Sequence, residues 1–558
     1  MENDAAIFCY TTVMSFREPL RKFFKGDILD DPATLETYSH DASLFEIKPQ
    51  MVVFPKDTGD VEKLVAWAAE SKDKKISLTA RSAGTDMSGG PLTESIVADF
   101  TRYFNHIIKI GEDYAITQPG VFYRDFERET LKHDLLMPSY PASREICTVG
   151  GMAANNSGGE KTLAYGKTEQ YVTGLKVVLR DGKEYAFGPV SKAELEKRIK
   201  KKTLEGEIYR RVYKLVKDNF ELLQKAKPRV SKNSAGYFLW NVWDGQTFDL
   251  TKLFVGSQGT LGLITEIKYR LIHPKKHSAM VALFLKDTEQ LADIIEKVLS
   301  FKPESFESYD DNTMKLAIRF LPELLKTMKA KNLLALGWQF LPELWMAITG
   351  GIPKLVLIAE FTDDSEQAAQ EKAGQAAAAL KQFKIPIRVM KNERESRKYW
   401  VIRRESFNLL RRHVRGRRTA PFIDDMVVQP EKLPVFLPKL NEILKNYPSL
   451  VYTVAGHVGD GNFHIIPLMD MSDPKSREII PELSERVYKL VFEFGGSTTG
   501  EHNDGLIRSP YLKEMYGEKV YKLFEEVKQI FDPEGIFNPG KKVGSSLEYA
   551  LKHLVKNS

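Results

Sequence analysis

The chain has 558 residues, of which 42% are hydrophobic and 28% charged, and its formal net charge is +6. This length exceeds what one hydrophobic core organises, so at least two domains are expected, and so small a net charge gives no reason to expect a nucleic-acid partner. The only cysteines are Cys9 and Cys147, which excludes a disulfide framework and a cysteine-ligated iron–sulfur cluster within the chain.

The first part of the chain alternates strand and helix patterns. Short apolar runs predict strands at 51–54, 76–80 and 95–100. Between the first two runs, apolar residues in helical spacing predict a helix that Asp57 or Thr58 can cap. Strand, helix, strand and a glycine-rich loop indicate an α/β unit.

Three glycine-rich segments follow within this region: RSAGTDMSGG at 81–90, TVGGMAANNSGG at 148–159 and GSQGTLGLITE at 256–266. We interpret each as a loop, because glycine and asparagine tolerate left-handed backbone and let another surface approach closely. The first loop matches neither a Walker A loop nor a Rossmann fingerprint. Together the three segments predict a backbone-lined groove for a long, phosphate-bearing cofactor.

The character of the sequence changes after about residue 273. Helices are predicted at 292–299 and 366–383, among apolar runs typical of strands, which indicates a separate α+β domain. A last helix at 511–530 precedes a loop at 531–542 that we expect to return to the first domain.

Two features suggest contacts with other molecules. Residues 333–348 are almost uncharged and carry two tryptophans; we favour a buried helix pair or lid, with an interfacial membrane patch as the alternative. Basic runs at 197–202 and 411–418 are solvated faces or anion-binding surfaces. The sequence shows neither a signal-peptide pattern nor an apolar run long enough to span a membrane, so a cytoplasmic protein is expected, at most peripheral at the inner face of the membrane.

The segments GHVGDGNFH at 456–464 and GEHND at 500–504 carry metal-binding residue types. An Asp460-Gly461 turn would place His457 directly opposite His464 on one face of a hairpin. Glu501 would add an oxygen ligand and leave one coordination position open, as catalytic metal sites do. The adjacent His502 would then be free to move protons. An isolated histidine pair is more often structural than ligating, so this hypothesis depends on the rest of the chain.

These segments and the closing NPGKK occur in an order that resembles the FAD-linked oxidoreductases of the vanillyl-alcohol oxidase type. Within that family the chain is similar to the D-lactate, glycolate and D-2-hydroxyglutarate dehydrogenase branch. The resemblance implies an α+β protein with a PCMH-type FAD-binding domain of two α/β subdomains at 46–272, after an N-terminal segment at 1–45. It further implies an α+β, ferredoxin-like substrate or cap domain with the metal site at 273–505, and a C-terminal segment at 506–558 that returns to the FAD domain.

The resemblance also implies roles for individual residues. His457, His464 and Glu501 would bind a divalent metal, zinc or manganese, and His502 would be the catalytic base. Arg403 would bind the substrate carboxylate. If the match to the family pattern is shifted by one residue, Arg404 takes this role instead. FAD would bind without a covalent link. The residues implied to contact it are Arg81, Ser82, Ala83, Gly84, Thr85, Ser88, Gly89, Thr148, Gly150, Gly151, Ala154, Asn155, Gly158, Gly159, Gly262, Ile264, Asn538 and Lys541.

The chain departs from the family pattern at several positions. Asp86 stands where a glycine is common, and its carboxylate would repel a pyrophosphate unless it turns away. Ile423 and Ile466 stand where the D-2-hydroxyglutarate type carries lysine and asparagine. These residues favour a smaller 2-hydroxy acid, D-lactate first and glycolate next.

Two alternatives remain open at this point. One is a flavoprotein subunit of a larger electron-transfer complex that acts on D-2-hydroxyglutarate or docks on a membrane. Another is a transferase similar to alkylglycerone-phosphate synthase, although EHND at 501–504 replaces the run of histidines of that type. Because the sequence ends at Ser558 without an iron–sulfur domain, we expect a separate electron acceptor: a quinone, a cytochrome, an iron–sulfur subunit or an electron-transfer flavoprotein.

Overall fold

The computed structural model describes residues 17–71, 76–320, 351–390, 392, 395–404 and 416–557. The first sheet has four strands, β1 (Asp27–Leu29), β2 (Met51–Phe54), β3 (Leu78–Arg81) and β4 (Ile96–Asp99), in the order β1-β2-β4-β3. Strands β2, β3 and β4 are parallel, and the helix Thr58–Glu70 connects β2 to β3. The Asp57 side chain accepts a hydrogen bond from Asp60 N, so the predicted helix and its cap are confirmed.

The second sheet has the strand order β5-β6-β11-β7-β8 and is antiparallel between every pair of neighbours described. Its core is aromatic, and it also buries the closing helix Leu512–Phe531. Its five strands are β5 (Ile107–Ile110), β6 (Tyr114–Thr117), β7 (Val172–Val178), β8 (Glu184–Phe187) and β11 (Leu263–Arg270). Two further short strands, β9 (Val190–Ser191) and β10 (Thr247–Phe248), lie between β8 and β11 along the chain.

The third sheet contains seven strands in the order β15-β12-β14-β13-β18-β19-β17 and is also antiparallel. The helices Leu291–Leu299, Glu366–Leu380 and Leu433–Lys445 contribute to the apolar core on one face. The strands, including the separate β16–β20 pair, are β12 (His277–Leu285), β13 (Ser305–Asp310), β14 (Leu355–Asp363), β15 (Ile387–Val389), β16 (Arg418–Thr419), β17 (Met426–Val427), β18 (Val454–His457), β19 (Asn462–Ile465) and β20 (Leu468–Met469).

The remaining helices lie between and around these sheets. They are Pro32–Tyr38, Tyr123–Leu131, Val149–Asn155, Thr162–Tyr165, Lys192–Arg198, Leu204–Asp218, Phe220–Ala226, Thr251–Phe254, Asp311–Arg319, Pro474–Glu493, Gly505–Arg508 and Leu547–Lys552. A further helical segment covers 395–404.

The loop after the closing helix lies against the first sheet. Leu78 forms a parallel bridge with Phe537, and the Asn538 amide donates to the carbonyls of Gly90 and Gln258. Lys541 Nζ donates to the Leu92 carbonyl, 2.6 Å away. The chain therefore ends by bracing the glycine-rich loops at 81–90 and 256–266.

One predicted loop is largely a helix. Residues Val149–Asn155 are helical because the Thr148 side chain caps the first turn by accepting from Gly151 N, and Asn156 ends the helix with a left-handed backbone (φ 49°). Gly150 lies where Pro119 leaves no room for a side chain: a Cβ there would lie 2.4 Å from the proline ring and 2.6 Å from its carbonyl oxygen. The segment 333–348 and residues 411–415 of the second basic run lie outside the described residues.

Candidate active site

A cavity of about 610 Å³ lies where the three sheets meet. Its lining includes the glycine-rich loops of the first two sheets, His457 and His464 of the third sheet, Arg403 and Arg404 of the segment 395–404, and Glu501 and His502. Ten of the residues that we expected to contact FAD line it: Arg81, Ser82, Gly84, Thr85, Gly150, Gly151, Ala154, Asn155, Gly262 and Ile264. Their roles in cofactor binding remain predictions.

The other eight expected FAD contacts, Ala83, Ser88, Gly89, Thr148, Gly158, Gly159, Asn538 and Lys541, are not among the lining residues. Several of them hold the lining loops in place. Thr148 Oγ1 donates to Ser82 Oγ at 2.6 Å, and the fully buried Ser88 hydroxyl donates to Asp86. Such supporting roles depend on tertiary contacts, and the spacing of glycine and serine in the sequence does not predict them.

Asp86 turns into its own loop. Its Oδ2 accepts from Ser88 N at 3.2 Å, Ser88 Oγ at 2.7 Å and Gly90 N at 2.7 Å, and its Oδ1 accepts from Asn155 at 2.8 Å. The carboxylate thus organises the loop 81–90 from inside. Asp86 still lines the cavity, but both of its carboxylate oxygens accept hydrogen bonds from the protein.

The hairpin at 454–465 differs in register from the prediction. His457 pairs with Asn462, and His464 pairs with Ala455, because a four-residue connection replaces the two-residue turn. Residues 458–460 form a 3-10 turn that ends at Gly461, whose φ is 65°. A Cβ on Gly461 would lie 1.8 Å from the Val428 carbonyl oxygen, so only glycine fits.

The shifted register still brings the two histidines together. His457 and His464 lie on the same face as diagonal neighbours, with ring centroids 5.2 Å apart. Ligand atoms of His457, His464 and Glu501 all lie within 4.8 Å of one another. His457 Nε2 is 3.3 Å from Glu501 Oε1. Two imidazoles and one carboxylate converging on one side of a cavity form a donor set suited to a zinc or manganese ion.

A buried lysine completes this cluster. Lys232 has 0% side-chain exposure, and its Nζ lies 2.6 Å from Glu501 Oε1 and 3.3 Å from Asp460 Oδ2. It also donates to the Gly159 carbonyl at 3.1 Å. Burial opposes the charge of Glu501, but Lys232 and His457 hold its pKa well below the usual value. Glu501 is therefore ionised and oriented in the absence of any ion.

A second group of carboxylates holds the histidine rings. Asp424, with 0% side-chain exposure, contacts His464 Nδ1 at 3.1 Å and His502 Nδ1 at 2.7 Å. Asp425 Oδ2 accepts from the backbone amides of Glu501 and His502. A histidine held at Nδ1 by a carboxylate keeps Nε2 for a ligand or a proton.

These carboxylates also set the protonation of His502. Burial lowers the pKa of His502, but Asp425 and Asp424 more than offset it and raise that pKa to about 9. The ring is therefore an imidazolium at neutral pH when no cation is near. A divalent cation on the adjacent ligands would lower this pKa and favour the neutral form, which is the form a base requires.

The two neighbouring arginines occupy different environments. Arg403 Nε lies 2.5 Å from Glu307 Oε2, and both side chains are largely buried. Arg404 forms a bidentate pair with Glu160 and has 49% side-chain exposure. Both line the cavity, but the buried Arg403 shares its carboxylate partner with His457.

Sequence reasoning did not identify Lys232, Glu307, Asp424 or Asp425. Nothing in the spacing of the sequence links these residues to the histidines: Lys232 lies in SKNSAGY, Glu307 in FESYD, and Asp424 and Asp425 in a DD pair. Glu307, Asp424 and Asp425 reach the site because β13 pairs with β18 and β17 pairs with β19, whereas Lys232 lies in a loop and reaches Glu501 through an ion pair.

Comparison with known proteins supports the same interpretation. Residues 49–188 match the model of an FAD binding domain, and residues 274–542 match that of the C-terminal domain of FAD linked oxidases. The chain also has the fold of 4-ethylphenol oxidase from Gulosibacter chungangensis, at a TM-score of 0.66, 18% identity and coverage of 96% of this chain and 97% of that one. The chain therefore belongs to the FAD-linked oxidoreductases with a PCMH-type fold.

Similar sequences are named for 2-hydroxy acids. A D-2-hydroxyglutarate dehydrogenase of Pseudomonas putida is 29% identical across 94% of this chain and 51% of its own length, so the chain spans about half of that relative. A glycolate oxidase subunit of Bacillus subtilis is 26% identical over 92% of this chain and 93% of its own. A D-lactate dehydrogenase of Archaeoglobus fulgidus is 27% identical over 88% and 91%. All three relatives are named for enzymes of 2-hydroxy acids.

Proposed function

We propose that this protein oxidises a D-2-hydroxy acid to the 2-oxo acid, with D-lactate preferred and glycolate next, and passes the electrons to a separate acceptor. The observation that carries the proposal is the meeting of three groups in one cavity: a glycine-rich wall, a His–His–Glu donor set, and a histidine and arginine beside it. This combination suits a substrate with a hydroxyl and a carboxylate on adjacent carbons.

The glycine-lined wall fits a flat, extended cofactor. Gly84, Gly150 and Gly151 leave backbone exposed along the cavity, and a Cβ on Gly84 would lie 2.5 Å from the Arg81 guanidinium. FAD, when bound there, supplies the flavin ring that accepts a hydride from the substrate. Cys147 lines the cavity, but burial raises the pKa of its thiol to about 12, which suits a non-covalent cofactor.

The donor set and its neighbours would handle the hydroxy acid. A divalent zinc or manganese ion held by His457, His464 and Glu501 would polarise the substrate hydroxyl and stabilise the alkoxide. His502, held by Asp424 at Nδ1, would take the hydroxyl proton at Nε2. Arg403 would pair with the carboxylate and fix the orientation of the Cα–H bond.

The part of the cavity wall farthest from the turn at 458–461 favours a substrate with an uncharged side chain. Ala455 lies on the same face of β18 as His457, and Thr453 and Ile466 lie next to the outer ends of β18 and β19. All three line the cavity, whereas Ile423 is fully buried. Among the residues that the structure describes, this wall offers no cation for a second carboxylate. It therefore favours D-lactate or glycolate over D-2-hydroxyglutarate.

Anaerobic reduction of the bound flavin tests the proposal directly. We expect D-lactate, with Mn²⁺ or Zn²⁺ present, to bleach the flavin absorbance faster than glycolate, L-lactate or D-2-hydroxyglutarate. His502→Ala should retain FAD but lose this reaction. His273→Ala is the matched control, because His273 is 72% exposed and lies outside the cavity. No bleaching with any member of a D- and L-2-hydroxy acid panel would refute the proposal.

A second function is favoured by one observation. The name D-2-hydroxyglutarate dehydrogenase recurs among the similar proteins, so the alternative is a flavoprotein subunit of a larger electron-transfer complex that acts on D-2-hydroxyglutarate. The cavity also contains Arg404 and Arg144, which could reach a distal carboxylate only by leaving their partners Glu160 and Glu127. A higher rate of bleaching by D-2-hydroxyglutarate than by D-lactate would establish this alternative.

The membrane hypothesis depends on the segment 333–348, which lies outside the described residues. No helix among the residues that the structure describes is long and apolar enough to cross a membrane. Alkyldihydroxyacetonephosphate synthase shares the fold at a TM-score of 0.65 but only 15% identity, which speaks to fold alone.

A further inference from the structure

Glu307 lies at the junction of two parts of the proposed site. It belongs to β13 and its side chain is 0% exposed. Its Oε1 lies 2.6 Å from His457 Nδ1, and its Oε2 lies 2.5 Å from Arg403 Nε. Each carboxylate oxygen thus holds a different residue of the site.

The three residues come from separate elements. β13 pairs with β18 in a register that joins Ser308 to Gly456, and continuing that register by one residue puts Glu307 opposite His457 on the same face. Arg403 reaches the same carboxylate from the helical segment 395–404. Both carboxylate oxygens of Glu307 therefore face a basic side chain of the site.

We propose that Glu307 is a positioning residue that fixes the cation ligand and the carboxylate clamp relative to each other; the inference rests on the proposed function. An Nδ1–H donated to Glu307 leaves the Nε2 lone pair of His457 for the cation. The ion pair of Nε with Glu307 Oε2 holds the Arg403 guanidinium at the cavity that it lines, where it can pair with a substrate carboxylate. A 2-hydroxy acid must reach both at once, so their separation has to be constant.

Glu307→Gln tests this role because it keeps the size of the side chain and removes its charge. The FAD-containing variant, first freed of metal by a chelator, should bind Mn²⁺ roughly 10- to 100-fold more weakly in calorimetric titration. The KM for D-lactate should also rise about tenfold or more, with a smaller change in kcat, because Arg403 acts on substrate binding.

Glu304→Gln is the matched control. Glu304 lies three residues earlier, is 4% exposed, and pairs with Lys161 and Tyr165 instead of the site. Its Mn²⁺ affinity and KM should stay within about twofold of the parent. Equal losses in both variants would mean that any buried carboxylate matters, which would overturn the proposal.

Glu307→Asp gives a second, independent test should the glutamine variant not fold. Its carboxylate is one methylene shorter and cannot span His457 and Arg403 together, so both Mn²⁺ affinity and the KM for D-lactate should worsen. An unchanged Mn²⁺ affinity or an unchanged KM in a folded, flavin-containing variant would overturn the shared role. The Mn²⁺ titration needs no substrate, so its result stands even if no 2-hydroxy acid is turned over.

Discussion

Replacing Asp424 by asparagine should move the pH dependence of catalysis toward acid. Asp424 Oδ2 lies 2.7 Å from His502 Nδ1, and its Oδ1 lies 3.1 Å from His464 Nδ1. Together with Asp425, this carboxylate raises the pKa of His502 to about 9 in the metal-free protein, against the lowering effect of burial. Loss of its charge favours the neutral imidazole, so the ring remains a base at lower pH.

The size of the effect follows from these distances. A charge within about 4–6 Å shifts a pKa by roughly 1 to 3 pH units, and Asp425 Oδ2 remains 4.0 Å from His502 Nδ1 in the variant. The variant should therefore lower the pKa of His502 by about 1 to 3 pH units. A bound cation lowers this pKa in parent and variant alike, so the difference between them persists. Asparagine can also donate to Nδ1 and select the wrong tautomer, which should reduce the plateau rate about 10- to 100-fold.

The assay is the logarithm of kcat/KM for D-lactate against pH from 5 to 10, with saturating Mn²⁺ and a dye acceptor. The acid limb reports the free enzyme's base. In the parent it should lie at higher pH than in Asp424→Asn. Asp310→Asn is the control, because Asp310 caps the helix Asp311–Arg319 and asparagine caps equally well. An acid limb at the same pH in parent and Asp424→Asn would refute the assignment of His502 as the base.

Other variants separate the remaining roles. His502→Ala should keep its FAD spectrum and lose about 10²-fold or more in kcat, the scale of a general base, measured with a dye acceptor; a loss under threefold would exclude that role. His457→Ala should bind Mn²⁺ or Zn²⁺ at least tenfold more weakly by metal analysis after dialysis, because it removes one of three ligands; full metal content would contradict the ligand set. Arg403→Met should raise the KM for D-lactate by at least about tenfold. Arg404→Met removes a half-exposed ion pair and should change this KM by less than threefold. The reverse order would mean that Arg404 binds the substrate carboxylate. In metal-free protein, His502 should contribute stability that is complete below about pH 6.5 and disappears as pH rises through about 9; denaturant unfolding at several pH values should show the loss in the parent and less of it in Asp424→Asn.

Local patterns predicted the elements that have strong local signals. The helix after β2 and its Asp57 cap are confirmed, as are helices near 292–299 and 366–380. The helix Val149–Asn155 was missed because glycine and asparagine dominate its composition, although the threonine cap at its start was a usable signal.

The hairpin shows why register is harder to predict than proximity. The Asp460-Gly461 pair predicts a two-residue turn, yet Gly461 packs against the Val428 carbonyl, and this contact with the neighbouring strand sets a longer connection. His457 and His464 share a face in both registers, because a shift of two residues preserves the side-chain alternation. The buried partners Glu307 and Asp424 are joined to these histidines only by long-range pairing, which a single sequence does not display.

The most direct test of the central claim is a metal-depletion and restoration experiment on the flavin-containing protein. Chelation should abolish the bleaching of flavin absorbance by D-lactate, and stoichiometric Mn²⁺ or Zn²⁺ should restore it in the parent but not in a His457→Ala, His464→Ala variant. Full bleaching by the metal-free parent would show that hydride transfer proceeds without a cation at these residues, and would contradict the account.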